Sequence, residues 1–491
     1  MSITNSKKKA ASPKGKTILI VACVVLFAAA MIGLAIYNSC SNDGSALRSQ
    51  TAVQSENFKV DGAMMSYLYS VNYQNFYQYL SMFGVDTSKS LKSQSCPLTT
   101  NGTWFDYIME SAKSEATELL ALCEQAKKNG VELDAEDLKT VDDYADQLKE
   151  IASQYGYSDP NTYLYALTKN PIKVQDVQNV LKLSALATKY TEKFNSEIDL
   201  SDERLNSYYE ENKESFDGVD YYTWTVKAED FEIEEGEETT GAQLAQELAD
   251  TLSKAESVEA FVALIRAQVE KDVVAEEDET EEALAERRQE KVDAAFKEHV
   301  LKSSLPELVA TWAFSDEAKA GETFIETTDE QDAFTIYMLA KEVYRLDGKA
   351  RNVRHILFSS DKYEDDAKAQ EVLSEFLADK TVEKFTELCA QYSDDTGSNT
   401  TGGLYEDVCP GDMVTEFNDW LFDPERVEGD TAVVKAESTG WHIVWYIGES
   451  EDSEWEIDAK RAIRSADYQE MVAEYSDAVK VNQGVINLID A

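Results

Sequence analysis

The stretch VRHILF, residues 353–358, places one histidine, His355, inside a short apolar run. A similar stretch, GWHIVWYI at 440–447, holds His442 in the same way. Their content of β-branched and aromatic residues predicts that both are β-strands. The whole chain has only three histidines, so two of the three lie inside predicted strands. Two buried imidazoles side by side would each be able to hold the other's tautomer.

The chain also contains an internal repeat around these strands. The segments WAFSDEAKAGET, residues 312–323, and WLFDPERVEGDT, residues 420–431, share a Trp, a Phe, an acid and a Gly-acid-Thr ending at equal spacing. An apolar strand follows each segment, and helices with an earlier strand precede it. The repeat therefore predicts two modules with the same order of elements, at 217–348 and 349–449.

The two modules differ at the positions of the histidines. Aligning the repeats puts Thr223 opposite His355 and Phe334 opposite His442. The first module thus lacks both imidazoles while keeping the pattern of strands and helices. The fold does not require the histidines, which points to a role in function. For one such residue a hydrogen-bonded core histidine is the usual interpretation, but two in matching motifs favour a site.

The N-terminal segment predicts a membrane anchor. Residues 17–37 are 21 uncharged and almost wholly apolar residues, a length that spans about 30 Å, one bilayer core. Five lysines lie in 1–16, and positive residues stay on the cytoplasmic side. A cleaved signal peptide is the alternative, disfavoured by the long apolar stretch and by the absence of a small–x–small pattern. We predict a single-pass protein of the cell membrane, with its N-terminus cytoplasmic and the rest outside.

The charge of the chain excludes one class of function. There are 94 acidic and 46 basic side chains, for a net charge of −48. Nucleic-acid binding needs basic surface that replaces counterions, so no nucleic acid is expected as a partner. Outside the cell, a Cys96–Cys123 or a Cys389–Cys409 disulfide and free buried thiols both remain open.

The remaining segments divide by composition. Residues 38–56 are small and polar and are interpreted as a tether. Residues 57–216 are predicted to be a helical domain, with Asp134 as an N-cap. The range 450–491 contains a helix with one apolar side, which needs a partner surface; the helical domain is the expected one.

The sequence contains no clear pattern for a metal site or for a catalytic nucleophile. The acidic stretches 230–238 and 275–286 lack the glycine and alternating oxygen ligands of a calcium loop, so we interpret them as solvated. No third ligand with suitable spacing accompanies the two histidines, so no zinc is expected. Neither histidine has a G-x-S-x-G partner for a serine nucleophile. No metal and no cofactor are predicted.

As a whole, 349–449 resembles the parvulins, a family of peptidyl-prolyl cis–trans isomerases. The resemblance rests on VRHILF as the first strand, on two helices ending in QYSDDTGS, on GG at 402–403, on GDMVTEFNDWLF, and on TGWHIVWY as the last strand. These separate motifs keep the family's order and spacing. The resemblance implies an antiparallel sheet with flanking helices and isomerase activity on X-Pro bonds.

The resemblance also assigns catalytic roles to residues of this chain. The catalytic residues that it implies are His355, Asp395, Thr439 and His442. The two histidines would be the paired imidazoles on neighbouring central strands. Asp395 stands where the family has Cys or Asp, and Thr439 stands where a hydroxyl residue supports the histidines.

The implied substrate-binding residues are Tyr405, Met413 and Phe417, which would line the proline pocket. Tyr405 occupies a position that is usually Leu. The family typically reads Gly-Gly-Asp-Leu-Gly, whereas this chain reads GGLYE at 402–406. An apolar, water-poor pocket suits prolyl isomerisation because the planar amide is more charge-separated than the twisted one.

The chain around this module resembles the membrane-bound or periplasmic foldases of the SurA and PrsA type. These have an α-helical chaperone region, one or two parvulin modules, and a terminal helix that rejoins the chaperone region. The resemblance implies an α+β fold with an N-terminal membrane helix, a helical chaperone domain, a degenerate first module, a complete second module and a C-terminal helix packing on the chaperone domain. The implied partners are unfolded or newly exported polypeptides with X-Pro bonds, and the sequence leaves a homodimer open.

Three functions stay open at this point. The first is a foldase that isomerises prolyl bonds in exported chains. The second, motivated by the altered 404–406 loop, is a non-catalytic chaperone whose modules serve as peptide-binding platforms. The third is a structural envelope protein without clients. The aromatic-rich stretch 67–83 has two interpretations as well, core packing or a groove for unfolded segments.

Overall fold

A computed structural model describes the chain in three stretches, residues 44–233, 239–277 and 279–490. The chain divides into two units. The residues up to Asp199 together with Arg464 onward form a mainly helical unit. The second unit, Leu200–Ile463, contains two four-stranded sheets.

The predicted cytoplasmic tail and membrane helix, at 1–16 and 17–37, lie outside the described residues. In the three stretches that the structure covers, no helix is both long and apolar enough to cross a lipid bilayer. The membrane anchor therefore stays a prediction from the sequence.

The helical unit starts with short elements and continues in long helices. Its elements before Asp199 are α1 (Ser45–Arg48), β1 (Thr51–Gln54), β2 (Lys59–Asp61), α2 (Gly62–Leu80), α3 (Trp104–Lys128), α4 (Ala135–Gln154), α5 (Pro160–Thr168) and α6 (Val174–Glu197). Asp61 accepts hydrogen bonds from the first turn of α2, and Asp134 forms a reciprocal capping box with Asp137 at α4. The cap predicted at Asp134 is confirmed. The buried core of this unit includes Met65, Leu68, Ile108, Leu120 and Val180.

The tether predicted at 38–56 is wrong for residues 44–56, the part that the structure describes, because that part contains α1 and β1. β1 pairs antiparallel with β2 and with residues 480–481, and Ala52 and Val53 are fully buried. In the sequence, the neighbours of these two residues are small and polar, so no strand pattern is visible there. The second strand that pairs with β1 lies at the far end of the chain, and no local sequence pattern predicts that pairing.

The second unit contains the two modules predicted from the repeat. The elements up to the end of the first module are α7 (Asp202–Asn212), β3 (Asp217–Lys227), α8 (Gly241–Leu252), α9 (Val258–Asp272), α10 (Glu281–Asp293), β4 (Phe296–Leu301), α11 (Glu307–Ala313), β5 (Thr323–Thr327) and β6 (Ala333–Arg345). The four strands form an antiparallel sheet in the order β4-β3-β6-β5. Helices α8 and α9 pack on one face of this sheet, and α11 packs on the other.

The second module repeats this topology. Its elements are β7 (Lys349–Ser359), α12 (Ala367–Ala378), α13 (Val382–Tyr392), β8 (Leu404–Val408), α14 (Thr415–Phe422), β9 (Thr431–Ala436) and β10 (Gly440–Ser453). The sheet order is β8-β7-β10-β9, again antiparallel. In both sheets the first and last strands of the module are the central pair, so the strand order agrees with the internal repeat.

One equivalence inferred from the repeat is wrong. In the second sheet, His442 pairs with the residue two positions after His355. The same relation in the first sheet, counted from Thr223, gives Thr335 and not Phe334. Phe334 instead packs into the core formed with α8 and α9. A shift of one residue along a strand moves a side chain to the other face, which the ungapped sequence alignment did not detect.

The end of the chain differs from the single helix predicted within 450–491. The elements there are α15 (Glu454–Ser476), β11 (Lys480–Val481) and the short α16 (Gln483–Ile486), because β10 continues to Ser453. Within the helical unit, Met471 of α15 packs with Leu119 of α3 and Tyr190 of α6. β11 pairs with β1. The C-terminal segment therefore completes the core and the small sheet of the helical unit.

The four cysteines in the described part of the chain, Cys96, Cys123, Cys389 and Cys409, are buried free thiols. Neither disulfide that the sequence left open is formed. Burial raises the pKa of Cys123 to about 12 and that of Cys389 to about 11. Both thiols are therefore protonated and poorly nucleophilic at neutral pH.

Candidate functional site

The sheet of the second module presents two different faces. On one face, Ile356 and Ile443 pack against α12 and α13. Side chains alternate along a strand, so His355 and His442 lie on the other face. The apolar neighbours on that face form a cluster with Phe417 of α14. The alternation predicted from the two sequence stretches therefore carries both histidines to one side of the sheet.

The two imidazoles are in direct contact. The Nδ1 atoms of His355 and His442 are 3.2 Å apart, and the rings are nearly parallel with their centroids 5.4 Å apart. Both side chains belong to buried residues. The strand register makes them diagonal neighbours on β7 and β10, which explains a ring contact without direct pairing of their backbones.

Asp395 anchors the other end of His355. Its Oδ2 atom accepts a hydrogen bond from His355 Nε2 at 2.9 Å, another from Ser398 Oγ, and a third from the Tyr405 hydroxyl at 3.1 Å. The backbone N–H of Gly397 donates to Oδ1 at 3.0 Å. The hydrogen bond from His355, followed by those from Ser398 and the Gly397 N–H, holds the pKa of Asp395 well below its usual range, so the carboxyl group is ionised at neutral pH.

Thr439 completes the chain of hydrogen bonds at His442, whose Nε2 atom lies 2.8 Å from Thr439 Oγ1. Burial, and next the neighbouring His355, lower the pKa of His442 to about 4, so this imidazole is neutral at pH 7. An ionised Asp395 requires a proton on His355 Nε2. For neutral rings the tautomers follow: His442 Nδ1–H donates to His355 Nδ1, and the Thr439 hydroxyl donates to His442 Nε2.

The three residues expected to line a proline pocket surround the imidazoles. Phe417 stands edge-on to both rings, with centroids 5.7 Å from His355 and 5.5 Å from His442. The Tyr405 ring stands edge-on to His355 at 5.2 Å. Met413 is partly buried against the same apolar cluster. The structure thus brings all seven residues predicted for the site onto one face of one module.

Two residues of the site were missed from the sequence. Ser398 is buried, donates to Asp395 and lies 3.3 Å from His355 Nε2. The signal available was its position three residues after Asp395, a spacing at which a Ser hydroxyl reaches back within a turn. Gly403 is the second: its carbonyl accepts the backbone N–H of His355 at 2.9 Å.

The histidines give a direct test of burial, because the chain has only three of them and their NMR signals are few. We expect His442 to titrate near pH 4, far below its ordinary value of 6.5. His299 should titrate above 6.5, since its hydrogen bond to Glu454 raises its pKa. His442 binds its proton more readily when unfolded, so its contribution to stability is present above pH 6.5 and is lost as pH falls towards 4.

The measurement is a pH titration of the imidazole carbon-bound protons in the intact protein. Substituting His299→Gln and His442→Gln in turn removes one signal each and so assigns both. A His442 midpoint close to 6.5 would contradict a buried imidazole.

Within the stretches that the structure covers, no three His, Cys, Asp or Glu side chains are grouped closely enough to hold a metal ion. Around the two histidines, the ring nitrogens that a metal would need are engaged with Asp395, with Thr439 and with each other. The site therefore consists of a continuous series of hydrogen-bonded side chains, from Asp395 through the two histidines to Thr439, beside an apolar surface.

Comparison with known proteins identifies the class of the second module. A sequence model of the PPIC-type PPIASE domain matches residues 337–448. The match contains all of β7 and residues 440–448 of β10, and so both histidines, and it begins inside β6, earlier than the boundary predicted at 349. The predicted resemblance is confirmed: this region is a parvulin-type peptidyl-prolyl isomerase domain.

Individual relatives carry more particular names. Foldase protein PrsA 1 of Listeria monocytogenes serotype 4b is 33% identical over 99 residues, which are 20% of this chain and 31% of that protein. Chaperone SurA of Hahella chejuensis is 36% identical over 93 residues, 19% of this chain and 21% of that protein. The chain therefore matches less than a third of the length of either relative.

A crystal structure of peptidylprolyl isomerase PrsA from Bacillus anthracis aligns with 47% of this chain and 93% of its own, at 16% identity and a TM-score of 0.20. A TM-score this low does not establish a common arrangement of the whole molecules.

Proposed function

We propose that this protein is a foldase that catalyses cis–trans isomerisation of prolyl bonds in exported polypeptides. The observation that carries the proposal is the contact between two buried imidazoles, linked to an ionised carboxylate and bordered by an apolar surface, within a parvulin-type domain. His355, Asp395, Thr439 and His442 are the proposed catalytic residues.

The chemistry needs no nucleophile, because prolyl isomerisation breaks no bond. The barrier comes from the amide resonance that is lost as the C–N bond twists, and the uncatalysed reaction takes tens to hundreds of seconds. The planar amide is more charge-separated than the twisted one. An apolar surface of Met413, Phe417 and Tyr405 therefore destabilises the planar ground state relative to the transition state.

The polar chain adds a second, directional effect. In the planar amide the carbonyl oxygen carries more negative charge than in the twisted form. The ionised Asp395, placed beside that oxygen, would repel the planar form more strongly and so favour twisting. His355 and His442 would keep Asp395 in place, since each ring fixes the tautomer of the next. In this mechanism the histidines organise the field and transfer no proton.

The proposal is tested by measuring cis–trans conversion of a proline-containing peptide with the purified protein. We expect conversion faster than in buffer, and a decrease of about tenfold in the His442→Ala variant, the value of about one hydrogen bond in the polar chain. His299→Ala is the matched control, because it removes the one histidine outside this domain.

Two outcomes would refute catalysis at this site: a wild-type rate equal to buffer, or equal rates in the His442→Ala and His299→Ala variants. A protein that only holds its clients would give the first outcome while still suppressing the aggregation of an unfolded protein. The same preparation therefore separates the foldase from the non-catalytic chaperone.

A surface in the helical unit supports binding of unfolded chains. The C-terminal end of α2 and the turn that follows it expose large apolar side chains to solvent, namely Tyr77, Tyr79, Met82 and Phe83. The N-terminal half of the same stretch, from Tyr67 to Tyr69, is buried in the core. Both interpretations of the 67–83 stretch thus find support, each in a different half. We assign the exposed half to client binding.

We further propose that residues 17–37 anchor the protein in the cell membrane, with its folded units outside. The support is the apolar 17–37 segment and the lysines of 1–16. The net charge of −48 suits a body that must not adhere to anionic polymers or lipid. The proposed partners are newly exported polypeptides that contain X-Pro bonds.

A further inference from the structure

A single oxygen atom in the site receives three side-chain donors. Oδ2 of Asp395 accepts from His355, from Ser398 and from Tyr405. Ser398 belongs to the same turn as Asp395, together with the Gly397 N–H that donates to Oδ1. These two donors move with the turn and cannot hold it against the rest of the domain.

Tyr405 differs from them in where it is anchored. It lies on β8, where its backbone is paired with Val353 of β7, two residues from His355. Its ring packs edge-on against the His355 imidazole with centroids 5.2 Å apart. Its hydroxyl reaches Asp395 at 3.1 Å. A hydrogen bond from the Asp394 N–H to the Leu357 carbonyl joins the start of this turn to β7, and the phenol adds a bond from β8 to the carboxylate itself.

We infer that Tyr405 is a positioning residue of the isomerase site: its hydroxyl holds the Asp395 carboxylate in a fixed orientation against His355. This inference rests on the proposed function and goes beyond it, because pocket lining requires only the ring of Tyr405 and not its hydroxyl. A phenylalanine would keep the ring and lose the hold on Asp395.

The protonation states support this role. Burial, and next the charge of Asp395, raise the pKa of Tyr405, so the phenol is a donor at every pH at which the protein is assayed. The titratable groups that face Asp395 are His355 on β7, His442 on β10, Tyr405 on β8 and Cys389 on α13. The Cys389 thiol is buried and protonated, and the His442 imidazole is neutral at pH 7.

Loss of the hydroxyl should therefore act through the carboxylate. With one donor fewer to its charged form, Asp395 should have a higher pKa. The hydrogen bonds from His355, Ser398 and Gly397 still hold that pKa below its ordinary value. The carboxylate also gains freedom to rotate away from the substrate carbonyl. At neutral pH the carboxyl group stays ionised, so it is this loss of orientation that lowers the rate of the chemical step, while the ring still contributes to substrate binding.

The experiment compares the wild-type protein with Tyr405→Phe and Tyr405→Leu in the proline-peptide assay at pH 7. For Tyr405→Phe we expect a kcat about tenfold lower, as for one charge-assisted hydrogen bond, and a KM within about twofold of wild type. Tyr405→Leu should raise KM as well.

Tyr363→Phe is the matched control, since Tyr363 packs on Phe358 at the other face of the same sheet. It should leave kcat and KM unchanged. A wild-type kcat in Tyr405→Phe would overturn the inference, as would a rise in KM alone, which would show that Tyr405 only lines the pocket.

A second readout does not depend on activity. The carbon-13 signal of the Asp395 carboxyl group should titrate at higher pH in Tyr405→Phe than in the wild type. If the wild-type protein is inactive but the Asp395 signal still titrates at higher pH in Tyr405→Phe, the proposed function is refuted. The hydrogen bond by which Tyr405 orients Asp395 is then still supported. An unchanged titration would refute that hold even in an active protein.

Discussion

Replacing Gly403 with alanine is expected to destabilise the parvulin-type domain by about 4 kcal/mol, the sum of a left-handed backbone conformation and of overpacking. Gly403 has φ of +71°, and a Cβ atom there would overlap the carbonyl oxygen of His355 and lie 3.1 Å from its backbone nitrogen. The obstacle is backbone, which cannot rotate aside. Moving it would break the hydrogen bond from His355 N to the Gly403 carbonyl.

The measurement is native-state hydrogen exchange of the β7 amides in the intact protein. Gly411→Ala is the matched control: Gly411 has φ of +89°, but nothing lies within 4 Å of the position that a Cβ atom would take there. It should cost only the conformational term, about 1–2 kcal/mol. Equal losses of protection in the two variants would show that the close approach of Gly403 to His355 contributes nothing.

Replacing Phe417 with alanine is expected to cost about 3–5 kcal/mol of stability and to lower isomerase activity by about a hundredfold. Phe417 is 1% exposed and packs on both imidazoles as well as on Leu421 and Val444. Its removal leaves a cavity, and it also takes away the apolar surface that destabilises the planar amide. The histidines lose the contact that sets their ring planes.

Stability and activity can be separated with a second phenylalanine. Phe376 is fully buried on the opposite face of the same sheet, against Phe385 and Trp445. Phe376→Ala should cost a similar amount of stability but retain the wild-type rate per folded molecule. The assay is run at low temperature, with the folded fraction measured by circular dichroism. Equal rates per folded molecule in the two variants would contradict a role of Phe417 in the site.

Much of the site could be predicted from short stretches of sequence. Alternation along VRHILF and GWHIVWYI is a property of the strand itself, so it is enough to place His355 and His442 on one face. The internal repeat likewise indicated two modules, and the sheets have the same strand order. The resemblance to parvulins, which rests on several ordered motifs, then predicted that Asp395 and Thr439 lie next to the histidines.

Errors arose where a contact joins residues that no local pattern connects. The sequence predicts a tether where β1 lies because one of the two strands that pair with β1, Lys480–Val481, is at the far end of the chain. Phe334 was aligned with His442 because equal spacing in the sequence does not reveal which face a side chain takes in the folded sheet.

By itself, the sequence of this protein determined what is local or repeated: strand and helix periods, the Asp134 cap, the two modules and the pair of histidines. Only the tertiary structure decided how Asp395 is held, because its donors His355 and Tyr405 and the backbone contact of Gly403 depend on where a turn meets a sheet. The physical reason is the separation along the chain over which each interaction acts. Periodicity and capping act within a few residues, whereas hydrogen bonds and steric limits of the site form between segments that only folding brings together.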